Sequence, residues 1–89
     1  MMISEELKAM VTKKVDFDSS ILAVGKRRII RNAIKANKNP FKYMLITPIT
    51  FIYKGSGIVV AVSEHYALVE LEHNIEVVLL KKEDIHEVR

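Results

Sequence analysis

The segment GIVVAVSEHYALVELEHNIEVVLL, residues 57–80, constrains the fold more than any other part of the sequence. It contains three short runs rich in valine, leucine and isoleucine, which are separated only by SEH and HN. Connections of two or three residues are too short for a parallel crossover, so the three runs must pair as antiparallel neighbours. The sequence therefore predicts a three-stranded meander in this half of the chain.

The residues on either side extend this strand-rich region from Phe41 to the end of the sequence. Before the meander, KYMLI and ITFIYK are further β-type runs, and the segments TP and GSG separate them as turns. After the meander, LKKEDI predicts a single helical turn and IHEVR a short closing strand. The period of the apolar residues changes at Pro40, which also pushes the residue before it out of the helical conformation. Strands are therefore expected after Pro40 and helices before it.

Two helices are predicted for the residues before Pro40. Ser4 is a suitable N-cap for the first, and apolar side chains then recur at helical spacing as far as Val15. The segment DFDSS interrupts this pattern with residues that favour turns and caps. The second helix is expected to begin with Asp18 or Ser19 as its cap and to end in the segment NKNP, near residue 37.

The order YKGSGIVVAV, ALVELE and EVVLLKKEDIHEV resembles a small SH3-like barrel of the kind found in KOW and CarD-like transcription and ribosome-associated modules. The resemblance covers about residues 48–88 and rests on a glycine-containing entry to a strand, short hairpins, a one-turn helix and a closing strand. The expected fold class is therefore α+β, with two N-terminal helices followed by a small antiparallel SH3-like β-barrel. Residues 1–89 are expected to form a single domain, basic and helical over 1–40 and a sheet over 41–89.

The second predicted helix has one apolar face and one cationic face. On a helical wheel, its apolar side chains fall within an arc of roughly 140°, and most of its basic side chains occupy a neighbouring arc of about 100°. No aspartate or glutamate occurs between Asp18 and Glu64, so no acid in the helix offsets the repulsion between basic residues four positions apart. Such a face indicates an anionic partner, and the solvated surface of an ordinary helix is the alternative. The candidate nucleic-acid contacts are Arg27, Arg28, Arg31, Lys35 and Lys38, with Asn32 as a polar contact.

The charge of the chain is distributed unevenly along the sequence. Residues 1–40 have a balance of +5 and residues 41–89 a balance of −2, which favours approach of an anionic partner to the N-terminal half. The predicted partner is nucleic acid, either DNA or RNA, and the alternative is an acidic protein surface. Tyr53 and Lys54, just before GSG, are the candidates for stacking on a base. A helix-turn-helix is a further interpretation, but its connector would be acidic and it would lack a third helix.

The predicted strands carry more apolar residues than one buried face needs. In EVVLL and IVVAV, the side chains on both faces of the strand are apolar. One face is expected to close the barrel, and the other must be covered by the helices or by a second protein. This pattern favours a homodimer or a protein-interaction module, an inhibitor or adaptor that acts through a strand edge or the basic helix.

Nothing in the sequence indicates catalysis, a metal site or a cofactor. The chain has no cysteine, and its three histidines, His65, His73 and His86, lack the spacing that places two ligands on one helix face. Glu70 and Glu72 share a strand face and are expected to be solvated carboxylates. No apolar run is long enough to span a membrane, and the absence of cysteine fits a reducing cytoplasm. The sequence thus predicts a small cytoplasmic, non-enzymatic regulatory or accessory protein that binds nucleic acid through its cationic helix face.

Overall fold

The computed structural model describes residues 5–44, 51–73 and 76–88, and for residues 19–20 and 51–53 it describes the backbone alone. The strands in these residues are β1 (Lys14–Ser20), β2 (Val24–Lys26), β3 (Phe51–Val62), β4 (Tyr66–Leu71), β5 (Glu76–Lys81) and β6 (Ile85–Glu87). They form one sheet in the order β2-β5-β4-β3-β1-β6, and every neighbouring pair is antiparallel. The helices are α1 (Glu5–Lys8), α2 (Arg27–Lys35) and the 3₁₀ helices Pro40–Tyr43 and Lys82–Asp84.

The predicted meander is confirmed, because β3, β4 and β5 are consecutive antiparallel neighbours. Val69 on β4 lies opposite Val59 of β3 and Val78 of β5, and all three side chains are fully buried. The predicted helical turn and closing strand are also present, as the 3₁₀ helix Lys82–Asp84 and strand β6. These elements follow from short connections and local residue preferences.

The predicted turn at GSG is wrong, because β3 runs through these residues without interruption. Neither glycine has a positive φ. Instead, each glycine makes room for a neighbouring group: a Cβ on Gly55 would overlap the ring of Phe17, and a Cβ on Gly57 would overlap the backbone carbonyl of Glu70. The glycines therefore serve close packing within the sheet, where the sequence pattern indicated a reversal of the chain.

The first predicted helix is wrong in extent. It was expected to run from Ser4, which lies outside the described residues, to Val15, but only the single turn α1 is helical. Thr12 takes a left-handed φ of 73°, and the chain then continues as β1. In β1, Val15 and Phe17 are buried while Asp16 between them is exposed, which is the alternation of a strand with one buried face. Burial of these two side chains outweighs the preference of the surrounding aspartates and serines for turns.

The second predicted helix starts later than expected. It begins at Arg27 instead of following a cap at Asp18 or Ser19, because the intervening residues form β1 and β2. Its predicted end is confirmed: Asn37 adopts a left-handed φ of 56°, and the amide of Lys38 donates to the carbonyl five residues earlier at 2.8 Å. This is the Schellman arrangement that terminates many helices. With only one turn in α1, residues 5–37 do not form a helix-turn-helix.

The predicted closed barrel is also wrong, because the sheet formed by the described residues is open. β2 and β6 lie at its opposite edges, and neither pairs with the other. β1, from a segment expected to be helical and turn, lies between β3 and β6. The predicted strand KYMLI begins as the 3₁₀ helix Pro40–Tyr43, and its last residues lie outside the described part of the chain. The architecture is mostly antiparallel sheet with α2 as its one helix of seven or more described residues.

The two faces of the sheet are covered differently. The inner face forms the main core, which consists of Leu7, Val15, Phe17, Ile21, Val59, Ala67, Val69, Val78, Leu80 and Ile85. On the outer face, α2 contributes Ile30 to a second buried cluster with Leu68 and Val77. The two-sided apolar strands β4 and β5 are therefore covered on both faces over this part of their length.

Candidate functional site

Helix α2 lies on the outer face of the sheet and is held there by apolar packing. Ile30 is fully buried together with Leu68 of β4 and Val77 of β5. Gly25 on β2 provides room for the side chain of Met44, since a Cβ at this position would lie 2.6 Å from Sδ of Met44, whereas Cδ1 of Ile30 would be at an ordinary contact distance of 3.6 Å. This packing fixes which side of α2 faces the sheet and which side faces solvent.

Two of the predicted phosphate contacts share one carboxylate of the sheet. Nη2 of Arg27 lies 2.7 Å from Oε1 of Glu70, and Nη2 of Arg31 donates to Oε2 of Glu70 at 2.6 Å. Nε of Arg31 donates a second hydrogen bond to the same oxygen at 3.1 Å. The side chain of Glu70 is only 12% exposed, so these charge-assisted bonds lie partly out of water.

The Arg27–Glu70–Arg31 triad corrects the prediction of a purely cationic face. Along the chain no acid accompanies the basic residues of α2, but in space Glu70 lies against two of them. Its negative charge offsets the repulsion between two arginines four positions apart. Because Glu70 already offsets this repulsion, the presence of two neighbouring arginines on α2 does not by itself indicate an anionic partner outside the chain.

Three other predicted contacts remain available to a partner. Arg28, Lys35 and Lys38 are exposed, and none of them forms an ion pair within the described residues. Arg28 and Lys35 are two helical turns apart and therefore lie about 10 Å apart along the same side of α2. Asn32 is exposed between them in sequence, and its side chain makes no hydrogen bond to a described residue. Separate positive charges along a helix suit a partner with repeated negative charges.

The two stacking candidates do not join this surface. The side chain of Tyr53 lies outside the described part of the structure. Lys54 is exposed and lines a separate concavity of about 530 Å³ together with Asp16, His73 and His86. The sequence did not indicate that these two histidines would line the same concavity. Across residues 5–44, 51–73 and 76–88, no group of three or more histidine, cysteine, aspartate or glutamate residues is arranged to hold a metal ion.

Glu72, the second predicted solvated carboxylate, is also bound by a basic residue of the N-terminal half. Its Oε1 lies 2.9 Å from Nζ of Lys14, and its Oε2 accepts a hydrogen bond from Oγ of Ser56 at 3.0 Å. The hydrogen bond from Lys14, followed by that from Ser56, lowers the pKa of Glu72, and the same bond to Glu72 raises the pKa of Lys14. The expectation that Glu70 and Glu72 are simply solvated is therefore wrong.

A groove between α2 and β3 was not predicted from the sequence. It has a volume of about 220 Å³, and its apolar lining includes Ile34 of α2 with Ile58 and Val60 of β3. Arg31 and Lys35 also line it. Ile34 is 38% exposed and Ile58 45% exposed, although the helical wheel placed Ile34 in the core-facing stripe. The groove lies beside the cluster that anchors α2, because Val60 of β3 packs against that cluster while Ile58, two residues earlier on the same strand, stays exposed.

Comparison with known proteins leaves the chain without an assigned family. In the described residues, no helix is long and apolar enough to cross a membrane. The resemblance to KOW and CarD-like modules stays a prediction that rests on the order of the elements, and the open sheet departs from the closed barrel that it implied. No protein-family model, no curated protein and no solved structure matches this sequence.

Proposed function

We propose that this protein binds the phosphate backbone of nucleic acid through the exposed cationic side of α2, in a non-enzymatic regulatory or accessory role. The observation that carries the proposal is the set of exposed charges on Arg28, Lys35 and Lys38, for which the described structure provides no acidic partner. α2 is anchored by Ile30, so the two charges on the helix keep their spacing. A polyanion that binds them releases its condensed counterions, which supplies the free energy of association.

The triad limits how many positive charges take part. Glu70 holds Arg27 and Arg31, and Arg28, Lys35 and Lys38, which form no ion pair within the described residues, are the predicted contacts expected to neutralise phosphates. For duplex DNA each neutralised phosphate contributes about −0.9 to the slope of log affinity against log salt concentration, so three contacts give roughly −2.7. Such contacts carry no base information, and binding is expected to be largely independent of sequence.

The proposal is tested by measuring affinity for labelled single-stranded and duplex oligonucleotides against salt concentration. The double variant Arg28→Ala/Lys35→Ala should weaken binding to all sequences alike and reduce the magnitude of the slope by about 1.8. The control is Lys8→Ala/Lys81→Ala, which removes the same charge from two exposed lysines outside α2. Circular dichroism should show unchanged or increased helicity in the first variant, because alanine is a stronger helix former.

Two results would contradict the proposal. The first is an absence of binding to DNA and RNA at about 50 mM salt, where phosphate contacts are strong. The second is an equal loss of affinity in both double variants, which would mean that only net charge matters. Either result would move the assignment to the alternative, an adaptor or inhibitor that binds an acidic protein surface.

For that alternative, the geometry favours the helix over a strand edge. The edge strands β2 and β6 each contain only three residues, so either edge offers few unpaired backbone groups to an added strand. α2, in contrast, presents exposed charged and apolar side chains together. We assign the function to the cytoplasm, because a chain without cysteine has no need of an oxidising compartment.

A further inference from the structure

We infer that the groove between α2 and β3 is a docking site for an acidic peptide segment that carries one large apolar side chain. The groove is lined by both apolar and positively charged side chains, and a single partner with an apolar group and carboxylates can contact both. Ile34 and Ile58 are among the large apolar side chains that the described structure leaves exposed, and both lie in it. Lys35 and Arg31 line the same groove and supply its positive charge.

The volume of the groove suits a single amino-acid side chain better than a small-molecule metabolite. Small-molecule sites usually have volumes of about 300–1,000 Å³, and this groove has about 220 Å³. The groove is open to solvent on one side, so a peptide can lie across it and insert one anchor. Interfaces commonly gain most of their affinity from a few buried anchors surrounded by contacts that exclude water.

The charges in the groove determine the character of the flanking residues. Lys35 has no ion-pair partner within the described residues. Arg31 uses Nε and Nη2 for Glu70, and its Nη1 makes no hydrogen bond to a described residue. Within the described residues the two N–H groups of Nη1 thus have no other acceptor and can donate to a second carboxylate, and Lys35 offers up to three more donors. Carboxylates on both sides of the anchor satisfy these donors.

Two other occupants fit the groove less well. A two-fold dimer through this surface would bring the Arg31 and Lys35 charges of both copies into one interface, and the groove lining, among the described residues, contains no carboxylate to offset their repulsion. A nucleic-acid backbone would satisfy the charges but would leave Ile34 and Ile58 in contact with water. Only a partner with both an apolar group and carboxylates uses the whole lining.

The test uses a labelled peptide with one leucine flanked by glutamates, and a matched peptide with serine in place of the leucine. The leucine peptide should bind about tenfold or more tightly than the serine peptide, because burial of the anchor supplies the difference. In amide NMR spectra of the full chain, the leucine peptide should shift the signals of the groove residues of α2 and β3. Equal affinity for the two peptides, or no binding by either, would overturn the inference.

Variants of the protein locate the contact. Ile58→Thr and Ile34→Gln change exposed side chains, and each should weaken binding of the leucine peptide at least fivefold. Ile29→Gln is the matched control, because Ile29 is 40% exposed on the same helix but does not line the groove. Lys35→Gln should weaken the leucine and serine peptides by the same factor.

The inference fails if Ile29→Gln weakens the leucine peptide as much as Ile58→Thr, or if the shifted signals lie away from the groove. It also fails if Ile58→Thr weakens an oligonucleotide instead of the peptide, which would assign the groove to nucleic acid. Because the peptide assay contains no nucleic acid, a failure of the proposed function leaves this test unaffected.

Discussion

Replacement of Glu70 by glutamine separates the contribution of this residue to stability from its effect on binding. The carboxylate accepts hydrogen bonds from Arg31 and pairs with Arg27, and glutamine has one acceptor oxygen and an amide group that must face one of the arginines. Both arginines are about half exposed, and solvent screening therefore reduces the electrostatic contribution of these ion pairs to stability. We expect a loss of about 1–2 kcal/mol in the free energy of unfolding. For a domain of this size, that loss lowers Tm by about 4–16 °C.

The same variant should increase affinity for oligonucleotides. Without Glu70, Arg27 and Arg31 are free to bind phosphates, and each additional contact makes the salt slope steeper by about 0.9. Stability should therefore fall while affinity at low salt rises, a combination that general loss of structure cannot produce. Urea denaturation and fluorescence anisotropy of a labelled oligonucleotide measure the two effects.

The control for this variant is Glu83→Gln, which makes the same change in net charge at an exposed carboxylate with no ion pair in the described structure. It should leave the salt slope unchanged. If folded Glu70→Gln protein bound oligonucleotides no more tightly than the Glu83→Gln control, the reasoning that places phosphates on α2 would be refuted.

Three further changes test the fold by urea or thermal denaturation. Gly57→Ala should destabilise the protein by about 2–3 kcal/mol, because the new methyl group would overlap a backbone carbonyl of β4. An unchanged midpoint of urea denaturation would contradict this packing. Ile30→Ala should cost about 2–5 kcal/mol, whereas Ile29→Ala at an exposed position should cost less than about 1 kcal/mol. Because the hydrogen bond from Lys14 lowers the pKa of Glu72, ionised Glu72 stabilises the fold above its ordinary pKa of 4.5, and this stabilisation is lost as pH falls through the lowered value. Glu72→Gln should therefore show a smaller decrease in Tm below pH 4.5 than the unaltered protein, and an equal decrease would contradict the pairing.

The elements that were predicted correctly depend on neighbouring residues in the sequence. The meander followed from connections of two or three residues, and the end of α2 followed from the segment NKNP. Each signal acts over a few residues, so no knowledge of distant partners was needed. The 3₁₀ helix Lys82–Asp84 and β6 belong to the same group.

The elements that were missed depend on contacts between distant parts of the chain. β1 is rich in polar residues and β2 has only three residues, and both are strands because β3, β6 and β5 supply their hydrogen-bond partners. The alternation of Val15 and Phe17 with the aspartates is present in the sequence, but the same segment also consists of residues that favour turns, and local preferences alone do not distinguish the two. The glycines of GSG are ambiguous for the same reason: a turn and a close approach between strands require the same residue, and only the partner on β4 distinguishes them.

In the candidate site, too, the features set by neighbouring residues were predictable from the sequence, and those set by distant contacts were not. The basic residues of α2 and their exposure followed from helical periodicity, but the position of Glu70 did not, because it lies 39 residues beyond Arg31 in the chain. The groove could not be predicted either, since the exposure of Ile34 and Ile58 depends on how α2 and β3 are placed relative to each other in the fold. The one available signal was the excess of apolar residues on both faces of the strands.

The contrast between a basic N-terminal half and an acidic C-terminal half is smaller on the surface than in the sequence. β1 is inserted between β3 and β6, and α2 lies on β4, so the two halves of the chain interleave in one sheet. Ion pairs then join them: Glu70 binds Arg27 and Arg31, Glu72 binds Lys14, and Glu87 binds Lys13. Several of the basic residues in the N-terminal half are therefore neutralised by glutamates of the C-terminal half, and these ion pairs help to hold the N-terminal elements against the sheet. Among the positive charges that form no ion pair within the described residues, Arg28 and Lys35 lie on α2 and Lys38 lies just beyond its end. Variants of these three residues therefore test binding through this helix, and variants of lysines elsewhere serve as controls.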